Sequence, residues 1–143
     1  MLRGCLVDQF CIFCVFFPET CDHLFRDCIL VRYIRICDEG SDASELDAGD
    51  VRRLWTDASN IPNAATRSKS LTRLAAIWWV IWTERNNTIF RKVLSNAIRA
   101  LERVASLTNV WNGALWPLLV PSSMLSPHFF IFVIDPAFLV YFV

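Results

Sequence analysis

The spacing of apolar and polar residues predicts helices in the middle of the chain. Apolar side chains recur at steps of three and four through residues 51–58, and Asp50 just before them is a candidate N-cap. A longer helix is predicted to begin near Ser68 or Ser70, and its residues 77–82 are apolar almost all round the helix. A helix of that kind is normally buried, so we expect this segment to be the most buried part of the chain.

A second helical pattern follows the first and has the spacing of a helix that packs along one line. Its apolar positions alternate steps of four and three residues, as in the seam between paired helices. The seam comprises Phe90, Leu94, Ala97, Leu101, Val104, Thr108 and Trp111. Together the two patterns predict a mainly α-helical fold, with a helical pair inside a helical region at residues 51–113.

Two segments without helical periodicity flank the helical region. Residues 38–50 contain six acids and no base, which predicts a solvated acidic linker. Residues 114–143 contain one charge and four prolines, which predicts an irregular apolar tail that is either disordered or associated with a membrane. Its apolar runs are shorter than the roughly 20 residues that a helical membrane span needs. Nearer the N-terminus, residues 29–36 fit either a helix or a strand.

Four soft metal ligands stand near the N-terminus in the spacing C-x2-C-x8-H-x4-C. They are Cys11, Cys14, His23 and Cys28, which we call the CCHC cluster. Two cysteines separated by two residues can turn both sulfurs to one point, and thiolate and imidazole ligands suit zinc. Four protein ligands leave no position for a catalytic water, so the spacing predicts a structural zinc knuckle. The alternatives are buried cysteines that act as small hydrophobic residues, or disulfides in a secreted chain.

The N-terminus gives no signal for secretion. Asp8 interrupts its apolar run, and no small-residue cleavage site follows. We therefore expect an intracellular protein of the nucleus or cytoplasm, where reducing conditions keep thiols free or bound to metal. Of the other cysteines, Cys21 lies inside the motif and could replace a ligand, whereas Cys5 and Cys37 are predicted to be ordinary, partly buried cysteines.

The residues around the CCHC cluster resemble a known family. Glu19-Thr20, His23-Leu24-Phe25 and Cys28 reproduce the E-T-x-x-H-L-F-x-x-C signature of the zinc-binding domain that follows the reverse transcriptase in plant non-LTR retrotransposons. Residues 77–90 resemble the W-x-I-W-x-E-R-N-x-x-x-F segment of the same family. The resemblance extends roughly from Cys5 to Trp111. The chain departs from the family at Val15, where a glycine is usual, and at Arg35, where a tryptophan is usual.

The resemblance implies a function as well as a metal. It implies a non-catalytic, zinc-binding and nucleic-acid-associated accessory domain of a retrotransposon-derived protein. In the family, the domain begins with a further apolar segment upstream of the first cysteines. Residues 1–37 are therefore expected to be a zinc-knuckle module that is truncated at its N-terminus.

The charge of the chain is balanced overall but unevenly distributed. Residues 51–111 contain ten bases and three acids, and such an excess of positive charge favours a polyanionic partner. Four of the bases follow one another at steps of seven, seven and four on the face opposite the seam. This basic stripe comprises Arg85, Lys92, Arg99 and Arg103. It is the candidate contact with the phosphates of RNA or DNA, and it is equally the pattern of an ordinary solvent-facing surface.

The sequence contains no pattern typical of a catalytic site. It lacks a glycine-rich phosphate loop and a G-x-S-x-G motif, and the three acids of residues 51–111 are scattered rather than clustered to hold divalent metals, so we do not expect an enzyme. Two alternatives to the accessory domain remain open. One is a non-functional or structural helical remnant that self-associates through its seam as a homo-oligomer. The other is a membrane-associated protein held by residues 118–143.

Overall fold

The structure is a computed structural model that describes residues 10–39 and 49–113. A short π-helix at His23–Asp27 is followed by helices α1 (Ile29–Glu39), α2 (Val51–Ser59), α3 (Ala64–Arg91) and α4 (Ala97–Gly113). The described residues contain no β-strand, only an isolated bridge between Phe10 and Pro18. The mainly α-helical fold predicted from the sequence is confirmed.

The two predicted flanking segments lie largely outside the described residues. The tail at 114–143 is not described, and neither are residues 40–48 of the acidic linker. Asp38 and Glu39, which the charge pattern places in the linker, form the last turn of α1. Residues 29–36, for which the sequence left helix and strand open, belong to the same helix. None of the described helices has the length and apolar character needed to cross a membrane.

Helix α3 is the element against which the others pack. It is 28 residues long, which corresponds to about 42 Å at the α-helical rise, and it contacts α1, α2, α4 and the π-helix. Ala76, Ile77, Val80 and Ile81 are each 0% exposed. Within the part of the chain that the structure describes, α3 contains more buried side chains than any other element, as predicted for this segment.

Short polar side chains fix where α2 and α3 begin. The Asp50 carboxylate accepts a hydrogen bond from the Arg53 N–H at 2.8 Å, which confirms Asp50 as the N-cap of α2. Asn63 caps α3 in the same way, through a hydrogen bond from the Thr66 N–H at 2.9 Å. The predicted start of α3 near Ser68 was therefore about one turn too late. Asn63 directly follows Pro62, in the turn between α2 and α3.

The predicted seam is divided between two helices. α3 ends where Lys92 adopts a left-handed conformation (φ 56°) and the Val93 N–H donates to the Asn87 carbonyl at 3.2 Å. Asn96 then starts α4 by accepting a hydrogen bond from the Arg99 N–H at 2.9 Å. No glycine marks this break, although glycine is the usual residue in such a position. The periodicity therefore indicated a continuous helix where the chain turns back.

The turn changes the environment of the seam residues. Phe90 is 61% exposed and Leu94 is 86% exposed, whereas Val104 in α4 is completely buried. α4 runs antiparallel to α3 and packs its own part of the seam against that helix. The predicted helical pair is thus a hairpin of α3 and α4.

Three aromatic rings join the N-terminal segment to the helices. The Trp78 ring stacks on Trp55 of α2 with ring centroids 5.8 Å apart, and Phe25 of the π-helix meets it edge-on at 6.4 Å. Aromatic pairs with these geometries add to the stabilisation that burial alone provides. Trp78 is 3% exposed, so it forms the centre of a core shared by three elements.

We expect Trp78→Ala to lower the free energy of unfolding by about 3–5 kcal/mol, because the substitution leaves a large cavity between three elements. Urea denaturation followed by circular dichroism would measure the change. Trp79→Ala is the matched control, since the neighbouring Trp79 is 43% exposed and its loss should cost much less. Equal costs for the two substitutions would contradict the assignment of Trp78 to the core.

Candidate metal centre

A tight turn at residues 10–18 brings the first two ligands to one side of the chain. The Cys11 N–H donates to the Phe17 carbonyl at 2.8 Å, and the Val15 N–H donates to the Cys11 carbonyl at 2.8 Å. These bonds close the loop around the first two ligands. Cys11 is completely buried and Cys14 is 6% exposed.

Val15 sits in this turn in a conformation that suits glycine. Its φ is 55°, in the left-handed region, and its side chain is 69% exposed. A residue with a Cβ atom pays roughly 1–2 kcal/mol there, and a β-branched side chain fits this region poorly. Glycine is usual at this position in the family that the sequence resembles. The departure from the family therefore adds backbone strain to the turn, while both cysteines still point to the same side.

The π-helix places the other two ligands. Residues five apart on an α-helix point about 140° away from each other, which would separate His23 from Cys28. Here the Cys28 N–H donates to the His23 carbonyl at 2.7 Å and closes a wider turn. Cys28 itself leaves the helical conformation with a ψ of 136°. Thr20 fixes the start of the element by accepting a hydrogen bond from the His23 N–H at 3.0 Å.

The two halves of the CCHC cluster meet in a compact group. The Cys11 and Cys28 sulfurs are 3.7 Å apart, and the Cys14 sulfur is 3.2 Å from His23 Nε2. All four ligand atoms lie within 4.8 Å of one another. The Phe17 ring lies beside the imidazole with ring centroids 5.4 Å apart and covers part of it. The four predicted ligands therefore converge and could hold a metal ion.

The two buried thiols of the cluster share one hydrogen bond. The bond that Cys28 donates lowers the pKa of the Cys11 thiol to about 5, against the opposing effect of its burial. The same bond, together with burial, raises the pKa of the Cys28 thiol, because ionising Cys28 would place a second negative charge beside the first. One thiol of the pair, Cys11, therefore ionises readily. Cys28 ionises beside it only when a positive charge compensates the second negative charge.

The other described cysteines lie outside the cluster. Cys21 and Cys37 are exposed, and neither belongs to the cluster. Cys37 therefore departs from the partial burial predicted for it. Cys5 lies outside the described residues. With three thiols and one imidazole, the cluster has the four ligands of a closed site without Cys21.

An ion pair connects the metal centre to α3. Both Nε and Nη2 of Arg85 donate to Glu19 Oε1, at 2.8 and 2.5 Å. The two side chains are 8% and 11% exposed, and they are separated by 66 residues in the sequence. Glu19 belongs to the first family-like motif and Arg85 to the second. The pairing of the two motifs was not apparent from the sequence, because nothing local marks Glu19 as the partner of Arg85.

The structure places the four residues of the basic stripe in different surroundings. Arg85 is buried against Glu19, and Arg103 pairs with the Glu84 carboxylate. Lys92 and Arg99 are exposed near the turn between α3 and α4. The prediction of a stripe assumed one continuous helix. Because the chain turns between α3 and α4, the four bases do not form a single line. Two of its four cations are engaged with acids of the same chain.

We expect Arg85→Met to destabilise the fold by about 3–5 kcal/mol, because it leaves the Glu19 carboxylate buried without its partner. Thermal or urea unfolding would measure this loss. Arg53→Met is the matched control: its ion pair with Asp57 is exposed, with side chains 61% and 68% accessible, and such pairs contribute little. A similar, small effect of both substitutions would show that the Glu19–Arg85 pair does not hold the N-terminal segment to α3.

Comparisons of the chain with known protein families, with curated proteins and with solved structures find no match. Two properties of the chain therefore indicate its function. One is the geometry of the CCHC cluster, and the other is the resemblance of the two sequence motifs.

Proposed function

We propose that this chain is a non-catalytic, zinc-binding accessory domain of a retrotransposon-derived protein that associates with nucleic acid. The observation that carries the proposal is the convergence of three thiols and one imidazole within 4.8 Å. These ligands come from two elements, the turn at residues 10–18 and the π-helix with the residue that follows it. The family resemblance supplies the type of protein and the nucleic-acid association.

The distances within the cluster support zinc. Zinc–sulfur bonds of about 2.3 Å in a tetrahedral site separate two thiolates by about 3.8 Å. The Cys11 and Cys28 sulfurs are 3.7 Å apart. The widest separation allowed by the cluster, 4.8 Å, exceeds the tetrahedral edge by about 1 Å, which side-chain rotation can supply. Three soft thiolates also disfavour magnesium and calcium, which take oxygen ligands.

The burial of the ligands supports a structural role for the metal. Cys11 and Cys28 are completely buried, and four protein ligands complete a tetrahedral zinc ion. Binding of the ion would supply the positive charge that a second thiolate beside Cys11 needs. The free energy of metal binding then adds to the stability of the fold.

The nucleic-acid association is supported by the exposed cations at the turn between α3 and α4. Arg91, Lys92 and Arg99 are all exposed there, and no ion pair joins them to a described residue. Cations in such positions contact phosphates and release counterions. We place the proposed contact at Lys92 and Arg99, and we assign Arg85 and Arg103 to pairing within the fold.

We expect the purified chain to contain one zinc ion, and we expect His23→Ala/Cys28→Ala to lose it together with part of the helical signal. Metal analysis and far-UV circular dichroism before and after chelation would measure both quantities. Acidification should also release the metal, because its ligands must be deprotonated to bind.

Cys21→Ala and Cys37→Ala are the matched controls for this experiment. Each removes an exposed thiol outside the cluster, so each should retain the metal. A wild-type chain without metal, whose helicity a chelator does not change, would contradict the zinc proposal. Loss of zinc in the Cys21→Ala variant would indicate that Cys21 replaces one of the four cluster residues as a zinc ligand.

We expect nucleic-acid binding to weaken with salt and to show little preference for sequence. Replacing Lys92 and Arg99 by methionine should flatten the slope of log K against log salt by about 2 for duplex DNA, since each phosphate contact contributes about 0.9. Fluorescence anisotropy at several salt concentrations would measure the slopes. Arg32→Met, an exposed cation on α1, should leave the slope unchanged. Absent or salt-insensitive binding would contradict the association.

A further inference from the structure

A cleft lies between the N-terminal half of α3 and the C-terminal half of α4. Its volume is about 460 Å³, which is within the usual range of small-molecule sites. Lys69, Ser70 and Arg73 line it from α3, and Thr108 and Asn109 face them from α4. The cleft is remote in sequence from the CCHC cluster and shares no residue with it.

The polar part of the cleft lining offers several hydrogen-bond donors. Its polar lining consists of two cations, hydroxyl groups, side-chain amides and a single carboxylate, that of Asp38. The Arg73 guanidinium donates to that carboxylate and to the Asp38 carbonyl, so the acid is neutralised where it stands. Lys69 is exposed and has no ion pair with a described residue. The cleft therefore carries an uncompensated positive charge.

The polar side chains of the cleft limit the kind of ligand it can hold. An apolar ligand would bury the ammonium, hydroxyl and amide groups without replacing their water, which is unfavourable. A ligand with oxygen atoms would replace those hydrogen bonds.

We propose that this cleft binds a phosphate ester. Lysine offers phosphate a point charge, and hydroxyl and amide groups offer it further donors. A cation is excluded as the ligand, because it would meet Lys69 and a carboxylate that is already paired. The volume exceeds what a phosphate alone occupies and leaves room for an attached polar group. The source of the phosphate is either a free nucleotide or the backbone of a nucleic acid.

Calorimetric titration of the full, metal-loaded chain tests the proposal with three probes: inorganic phosphate, AMP and a short single-stranded oligonucleotide. We expect AMP or the oligonucleotide to bind more tightly than phosphate. Lys69→Met should weaken that binding about tenfold, the loss expected for one charge-assisted hydrogen bond. Lys69→Arg should restore most of it.

Arg52→Met is the matched control, because it removes one exposed positive charge from α2, outside the cleft. It should leave the affinities unchanged. AMP binding that depends on Lys69 identifies a free nucleotide as the source, and binding of the oligonucleotide alone identifies the backbone. No binding of any probe, or equal losses for Lys69→Met and Arg52→Met, would overturn the proposal. The zinc content of the same variants reports on the metal centre separately, so the two proposals can fail independently.

Discussion

Residues 10–28 have almost no ladder of backbone hydrogen bonds of their own, so side-chain links must hold them in place. The turn at residues 10–18 is closed by a few bonds, and the π-helix that follows has five residues. Such a segment fixes its backbone at a considerable cost in conformational entropy and buries little apolar surface in return. Its largest buried side chains outside the cluster are Leu24 and Phe25. A metal ion that binds residues of both halves in the folded segment would offset this cost with its binding free energy.

Two further contacts tie this segment to the helices. The Asp22 carboxylate accepts a hydrogen bond from the Val51 N–H at 2.8 Å, at the N-terminus of α2. The Glu19–Arg85 pair links the segment to α3, and both nitrogens of Arg85 use the same oxygen of Glu19. A buried pair of this kind adds little net stability compared with apolar packing, but an unpaired member is strongly unfavourable. It therefore selects one arrangement of the segment on α3 and penalises alternatives.

The parts of the structure that depend on local sequence could be predicted, and those that depend on distant residues could not. The C-x2-C and H-x4-C spacings fix the ligands within two short elements, and the aromatic run around Trp78 identifies the central helix without reference to its partners. The break at Lys92 was missed because a lysine occupies the left-handed position, where the expected signal is glycine. The partner of Arg85 was missed because it lies 66 residues away. Charge periodicity shows which face a base occupies on an ideal helix, but it does not show which acid neutralises it.

The pairing of cations with acids of the same chain also determines which cations could contact a polyanion. Once Arg73, Arg85 and Arg103 are paired with acids, the exposed cations of the helical hairpin fall into two groups. One group includes Lys69 near the start of α3, and the other surrounds Arg91 at its end. The helical rise places these two residues about 33 Å apart, whereas successive base pairs of a duplex advance about 3.4 Å. A duplex would have to lie along α3 for about ten base pairs to contact both groups, and a shorter nucleic acid would reach only one of them.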